Sequence, residues 1–311
     1  MADLKSTMKN SDIFAMEQEC EVLFRSLIPV YNACTSENFP LVFASDEDYK
    51  AGMSILAISA GLFPRVKILS FQLMSNHAHF VISGNAEYIL EFFSFFRGRL
   101  AMWLDEKGGS REARGFDLKL FPIEDLDYLR NAVAYVNRNG SIVNDAFTPL
   151  SYPWGTSAYM FQPLTERYIS ACGRALGVRE MRSLMHSKCA DCLKSVIAVD
   201  GYASPLSFCD IRLAESLFRN ARQYFYTVSK KVEAFSRISK MIGEMVCFTD
   251  NDIFIAATEI ANRKYGIKKL VALPAGSRIE LARCLHYDYN AGDKQIQRLL
   301  KLDLNLVRSL F

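Results

Sequence analysis

Hydrophobic and polar positions between residues 27 and 138 alternate between a period of two and a period near 3.6. Leu27 to Cys34 is a β-type run, and Pro40 to Phe43 is a shorter extended piece. Asp46 is a helix-capping residue type, acids fill positions 46–48, and Met53, Leu56, Ile58 and Leu62 follow at helical spacing, predicting a helix through Leu62. Val66 to Leu73 reads as a strand and Asn76 to Ser83 as a second, joined by Met74 and Ser75 as in a hairpin. A long apolar-faced helix is predicted over Ala86 to Glu106, ended by Gly108-Gly109. Phe116 to Ile123 alternates again, and a helix over Glu124 to Arg138 is expected to stop near Asn139-Gly140. The order β-α-β-β-α-β followed by a helix predicts an α+β, ferredoxin-like antiparallel sheet with helices on one face.

After Tyr152-Pro153-Trp154-Gly155 the pattern becomes helical: Thr165 to Leu176, Val178 to Cys192, Ile211 to Tyr226, Ser229 to Val246 and Asp250 to Lys264. Ser277 to Tyr289 carries apolar residues at 279, 281, 282 and 285 and is followed by the turn Asn290-Ala291-Gly292-Asp293. Two short helices, Lys294 to Leu300 and Leu304 to Phe311, complete a helix-turn-helix-like end. Three parts are therefore expected: a frayed or helical lead-in over 1–26, a sheet domain over 27–161 and an all-helical C-terminal region over 162–311.

Composition narrows the class of protein. Half of the 311 residues are hydrophobic, with 22 Phe and 14 Tyr, enough for a sizeable core. No window approaches 18 consecutive apolar residues and the N-terminus lacks a secretory pattern, so no membrane partner is expected. Eight cysteines at irregular spacing read as reduced thiols, which points to the cytoplasm. The net charge of +3 is unevenly spread. Residues 1–155 hold 14 Lys and Arg against 19 Asp and Glu, whereas residues 156–311 hold 23 against 15. A basic half of this kind suits a nucleic-acid-gripping module, and Arg298 and Arg308 on the last two helices are the candidate DNA contacts.

Two of the four histidines are His77 and His79. On a strand, residues two apart project from one face, so the two imidazoles form a two-pronged grip for a metal ion. Paired strand histidines also occur simply as core or edge residues. Tyr135 and Asn139, four apart, share a helix face that packs over the sheet. Two imidazoles and an amide oxygen leave positions on a divalent cation for a phosphate oxygen and water. A phenol beside that phosphate can attack phosphorus once deprotonated. A half-buried helix tyrosine without chemistry is the plain alternative for Tyr135.

The run Leu73-Met74-Ser75-Asn76-His77-Ala78-His79-Phe80-Val81-Ile82 resembles the Met-Pro-Asn-His-hydrophobic-His block of the HUH single-tyrosine transposases, the insertion-sequence-200-like and REP-associated group. Tyr135-Val136-Asn137-Arg138-Asn139 is similar to that family's Tyr-Ile-His-x-Asn-Pro helix, and residues 152–159 to its Tyr-Pro-Trp-Ser-Ser-Tyr segment. The resemblance covers roughly residues 27–161. It implies that His77, His79 and Asn139 bind Mg²⁺ or Mn²⁺ and that Tyr135 is the nucleophile. The implied partner is single-stranded or hairpin DNA, cleaved through a 5′-phosphotyrosine link, with a homodimer as a candidate assembly. Ser75 and Gly140 stand where the family has Pro, and Gly140 is expected to loosen the end of the helix.

Two rivals stand beside this reading. A DNA-binding regulator that has lost the chemistry would keep the fold and the basic half. A zinc protein would use Cys189 and Cys192, in Cys-x-x-Cys spacing, with His186 three residues earlier. No P-loop or Gly-x-Gly-x-x-Gly segment is present.

Overall fold

The computed structural model describes residues 10–36, 41–107, 116–143, 147–148, 150–175, 177, 179–180, 182, 196–230, 248, 250–267 and 269–311. A first helix, α1 (Asn10–Leu27), leads into β1 (Val30–Cys34), α2 (Asp46–Leu62), β2 (Lys67–Leu73), β3 (Ala78–Ser83), α3 (Ala86–Glu106), β4 (Lys119–Pro122) and α4 (Leu126–Val143). The strands form one sheet in the order β2-β3-β1-β4, antiparallel throughout. This is the ferredoxin-like split motif expected from the sequence.

Strand periodicity sends alternate residues to opposite faces. Phe71 and Phe80 stack with ring centroids 6.2 Å apart, and Phe80 meets Phe93 of α3 at 6.0 Å. α2 packs along α3 on that same face. The opposite face carries Ser70, Gln72 and His79, and α4 covers it, with Asn137 bonded to Ser70 and Tyr135 against His79. Covered on both sides, β2 and β3 are buried almost end to end. A sandwiched strand needs no alternation of apolar and polar residues, and these two show little.

Several local expectations are corrected. Ser45 rather than Asp46 caps α2: its hydroxyl accepts from the Asp48 amide, while the Asp48 carboxylate accepts from the Ser45 amide at 3.0 Å. Pro40–Phe43 forms no strand over its described residues; the Val42 and Phe43 amides both donate to the Ser75 carbonyl instead. α4 does not stop at Asn139-Gly140 but runs to Val143.

Beyond the sheet domain lie α5 (Pro163–Cys172), β5 (Arg174–Ala175), β6 (Ile197–Val199), β7 (Tyr202–Ala203), α6 (Ile211–Ser216), α7 (Ala221–Lys230), α8 (Asp250–Tyr265), α9 (Ala275–Tyr289), α10 (Asp293–Leu300) and α11 (Leu304–Arg308). The C-terminal region is largely helical, with a small antiparallel sheet, β5-β6-β7, added to it. The helix expected over Ile211–Tyr226 is two helices, because Asn220 starts a new one by accepting from the Gln223 amide through its side chain and carbonyl. Most of the expected helix over Val178–Cys192 and most of that over Ser229–Val246 lie outside the described residues. α7 packs on α4, and the Asp210 amide donates to the Ile68 carbonyl of β2, so material past residue 161 shares the core. α8 to α11 pack chiefly on one another. Among the described residues no helix is long and apolar enough to cross a membrane.

Candidate functional site

His77 precedes β3 and His79 lies within it, and their spacing of two puts both imidazoles on the face beneath α4. The ring centroids are 4.8 Å apart and the planes nearly perpendicular. The Tyr135 ring stands edge-on to His79 at 5.7 Å. Asn139 follows one helical turn later and is 8% exposed. The structure thus joins His77, His79 and Tyr135 through ring contacts and sets Asn139 on the same helix face by its spacing.

Nδ1 of His77 lies 2.7 Å from the Asn76 side-chain oxygen. That oxygen only accepts, so the ring proton sits on Nδ1 and the Nε2 lone pair is available to a cation, an arrangement that orients metal-binding histidines. Burial pushes the His77 pKa down to about 4. It pushes His79 well below its ordinary value too, with the neighbouring His77 adding to the effect. Both rings are therefore neutral at pH 7, the state that binds metal. Among the described residues no three His, Cys, Asp or Glu side chains gather at one point. A cation here would be held by two imidazoles, with the Asn139 amide oxygen as third donor. Such a nitrogen-and-oxygen set suits Mn²⁺ better than the oxygen-seeking Mg²⁺.

The depressed histidines also set an acid limit. An unfolded His77 takes up a proton near its ordinary value of 6.5, whereas the folded one does so only near 4. Its contribution to stability is complete above pH 6.5 and is lost as pH falls toward 4. Urea unfolding at pH 7 and pH 5 should show wild type losing about 2 kcal/mol more than His77→Gln. Equal losses would remove the histidine from the account.

The site is closed over. Tyr135 is 3% exposed and His79 fully buried. Arg138, one turn after Tyr135, forms a buried ion pair with Asp252 of α8. Burial pulls the Arg138 guanidinium below its ordinary pKa, Asp252 draws it back up, and the Tyr135 hydroxyl is close enough to contribute. Sequence reasoning passed over Arg138 although it lies inside the Tyr135–Asn139 block. For Asp252 the only signal was an acid in the first turn of a helix.

Around these residues a polar network fixes α4 to the sheet. Asn137 Oδ1 accepts from Ser70 at 3.0 Å and from Thr156 at 2.7 Å, and Asn137 Nδ2 donates to Tyr224 Oη at 3.1 Å. The Gly140 amide donates to Gln72 Oε1 at 2.8 Å. Gly140 is helical and lies flat under the Tyr152 ring, where a β-carbon would come within 2.3 Å of Tyr152 Cγ. It therefore seats a ring rather than loosening the helix, which corrects the expectation for this position.

The two candidate DNA contacts each meet an acidic side chain of a neighbouring helix. Arg298 pairs with Asp250 through Nε at 3.0 Å and Nη2 at 2.7 Å, and Arg308 Nε lies 3.9 Å from Asp293. Both side chains are more than half exposed, so these pairs staple α8 to α10 and α10 to α11 at the surface. Arg283, Lys294 and Lys301 are exposed on and beside the same helices. His186, Cys189 and Cys192 lie outside the described residues. Cys20, Cys34, Cys172, Cys209 and Cys284 form no disulfide among the described residues. Compared with protein-family models, with curated proteins and with solved structures, the chain matches none.

Proposed function

We propose that this chain cleaves and rejoins single-stranded DNA through Tyr135, with His77, His79 and Asn139 holding Mn²⁺ or Mg²⁺. The observation that carries the reading is the contact of the helix residue Tyr135 with the neutral His79 imidazole of β3, which in turn meets the neutral His77 imidazole just before that strand. When bound, the cation supplies positive charge that polarises the scissile phosphate. Tyr135 Oη gives up its proton to solvent and attacks phosphorus; the bond to the 3′ oxygen breaks, and that oxygen leaves as a hydroxyl after taking a proton. The product is a 5′-phosphotyrosine link, which a second 3′-hydroxyl reverses. α4 contributes positioning, since Asn137 and Gly140 fix its height above the sheet.

Incubating the protein with single-stranded oligonucleotides from the flanks of its own gene and Mn²⁺ tests the proposal, the readout being a covalent protein–DNA adduct. His77→Ala and His79→Ala should each lower adduct formation by roughly 100-fold or more, given that even outer-shell partners of a metal are worth 10- to 100-fold. His79 is fully buried and its truncation also opens a cavity, so the half-buried His77 is the cleaner of the two. Metal-dependent cleavage unchanged in both variants would overturn the metal assignment. The burial of Tyr135 and His79 favours one other reading, a DNA-binding regulator with a silent site. Tight DNA binding without any adduct would decide for it.

A further inference from the structure

Arg138 and Asp252 present a charge pair whose two side chains are each only 6% exposed. Taking two charges out of water costs several kcal/mol per ion, and an apolar pair of similar volume often stabilises a fold better. Stability alone is thus a poor explanation for a buried pair at this position. Arg138 stands three residues after Tyr135 and one before Asn139, with its guanidinium in electrostatic reach of the Tyr135 hydroxyl. Asp252 comes from the first turn of α8, and α8 belongs to the group of helices that pack chiefly on one another. The pair therefore ties the helix bearing the tyrosine to a separate cluster of helices.

We infer that Arg138 is a phosphodiester-binding residue of the Tyr135 site, and that the Asp252 carboxylate occupies its guanidinium in the DNA-free chain. The inference rests on the proposed DNA chemistry and deepens it. A carboxylate and a phosphodiester each offer two anionic oxygens at similar spacing, and a guanidinium binds either through two parallel N–H donors. A nucleic-acid strand entering the site exchanges one acceptor for the other, so the guanidinium is never left buried without an anion. Exchange also releases the first turn of α8 from α4. The group recognised is the sugar–phosphate backbone and not a base, so Arg138 contributes affinity without sequence preference.

The test uses the full chain and a fluorescein-labelled 12-nucleotide oligothymidylate, with EDTA present so that binding is read without cleavage. Asp252→Asn should bind about tenfold tighter than wild type, because the competing carboxylate is gone. Arg138→Gln/Asp252→Asn should lose that gain and show a salt dependence lower by about one unit of slope. Asp252→Asn binding no tighter than wild type, or a double variant that keeps the gain, overturns the inference. Where the Asp252 variant fails to fold, hydrogen exchange on wild type gives the answer. Amides of the first turn of α8 should exchange faster when the oligonucleotide is bound, and unchanged protection in the bound state overturns the inference as well. An adduct that forms in wild type while these measurements fail sinks the Arg138 assignment and spares the function; absence of oligonucleotide binding in every protein sinks both.

Discussion

Tyr135→Phe should bind single-stranded DNA as wild type does and form no covalent adduct with it. Only one oxygen atom is removed, and the ring keeps its edge-on contact with His79. The stability cost is therefore about 1 kcal/mol, the usual worth of one hydroxyl interaction, whereas the loss of adduct is complete. Other tyrosines near the site are poor substitutes. Tyr152 Oη is committed to the Leu73 carbonyl at 2.8 Å, and Tyr224 Oη accepts from Asn137. Burial also raises the pKa of both, which makes their phenolates harder to form. Tyr128, seven residues before Tyr135, shares its helix face but is likewise raised by burial. Mapping the adduct by peptide digestion distinguishes them: a DNA link on Tyr128 would refute the role of Tyr135 while leaving the enzyme class standing.

Gly140→Ala should destabilise the fold by about 3 kcal/mol, the upper range for forcing a methyl into a packed core. The added carbon would lie 2.3 to 2.5 Å from three atoms of the Tyr152 ring. The ring would have to withdraw, giving up its hydroxyl's bond to Leu73 and its contact with Phe147. Intrinsic helix propensity predicts the opposite sign, a gain near 1 kcal/mol for Ala over Gly. Gly98 in α3 supplies the control, since a β-carbon there meets nothing within 4 Å. Urea melts of the two variants should move in opposite directions. A stabilised Gly140→Ala would show that the ring does not rest on this glycine.

The motif of the sheet was readable because the helices carried a period near 3.6 and the strands were short β-type runs set off by turn residues. Ala86–Glu106 was located to the residue, having Asn85 as cap and an unbroken apolar face. The end of α4 was not, because Asn-Gly reads as a helix stop in a single chain. Here Gly140 lies against the ring of Tyr152, supplied from another segment, a contact no local pattern encodes. Strands of two or three residues such as β5 and β7 leave too little sequence for alternation to register. Within the site, the spacing of His77 with His79 and of Tyr135 with Asn139 was legible, as both depend on backbone geometry alone. The Arg138–Asp252 pair was not, since 114 positions separate its members and only the folded chain brings them together. The acids paired with Arg298 and Arg308, Asp250 and Asp293, likewise lie on neighbouring helices and no local pattern announces them.

The segment that follows α4 has one more effect. Leu73 donates its amide to the Trp154 carbonyl at 2.9 Å, and Thr156 donates to Phe71 at 3.1 Å, so residues 154–156 cap the outer side of β2. Gly155 permits the approach, for a β-carbon there would lie 2.5 Å from the Phe71 carbonyl. Without this cover β2 would offer an apolar strand edge open to pairing with other chains, the usual seed of aggregation. At the far edge, β4 is four residues long and ends in Pro122, which cannot donate to a ladder. The sheet is thereby blunted on both sides, and two copies of this chain that associate must do so by some route other than joining their sheets through β2.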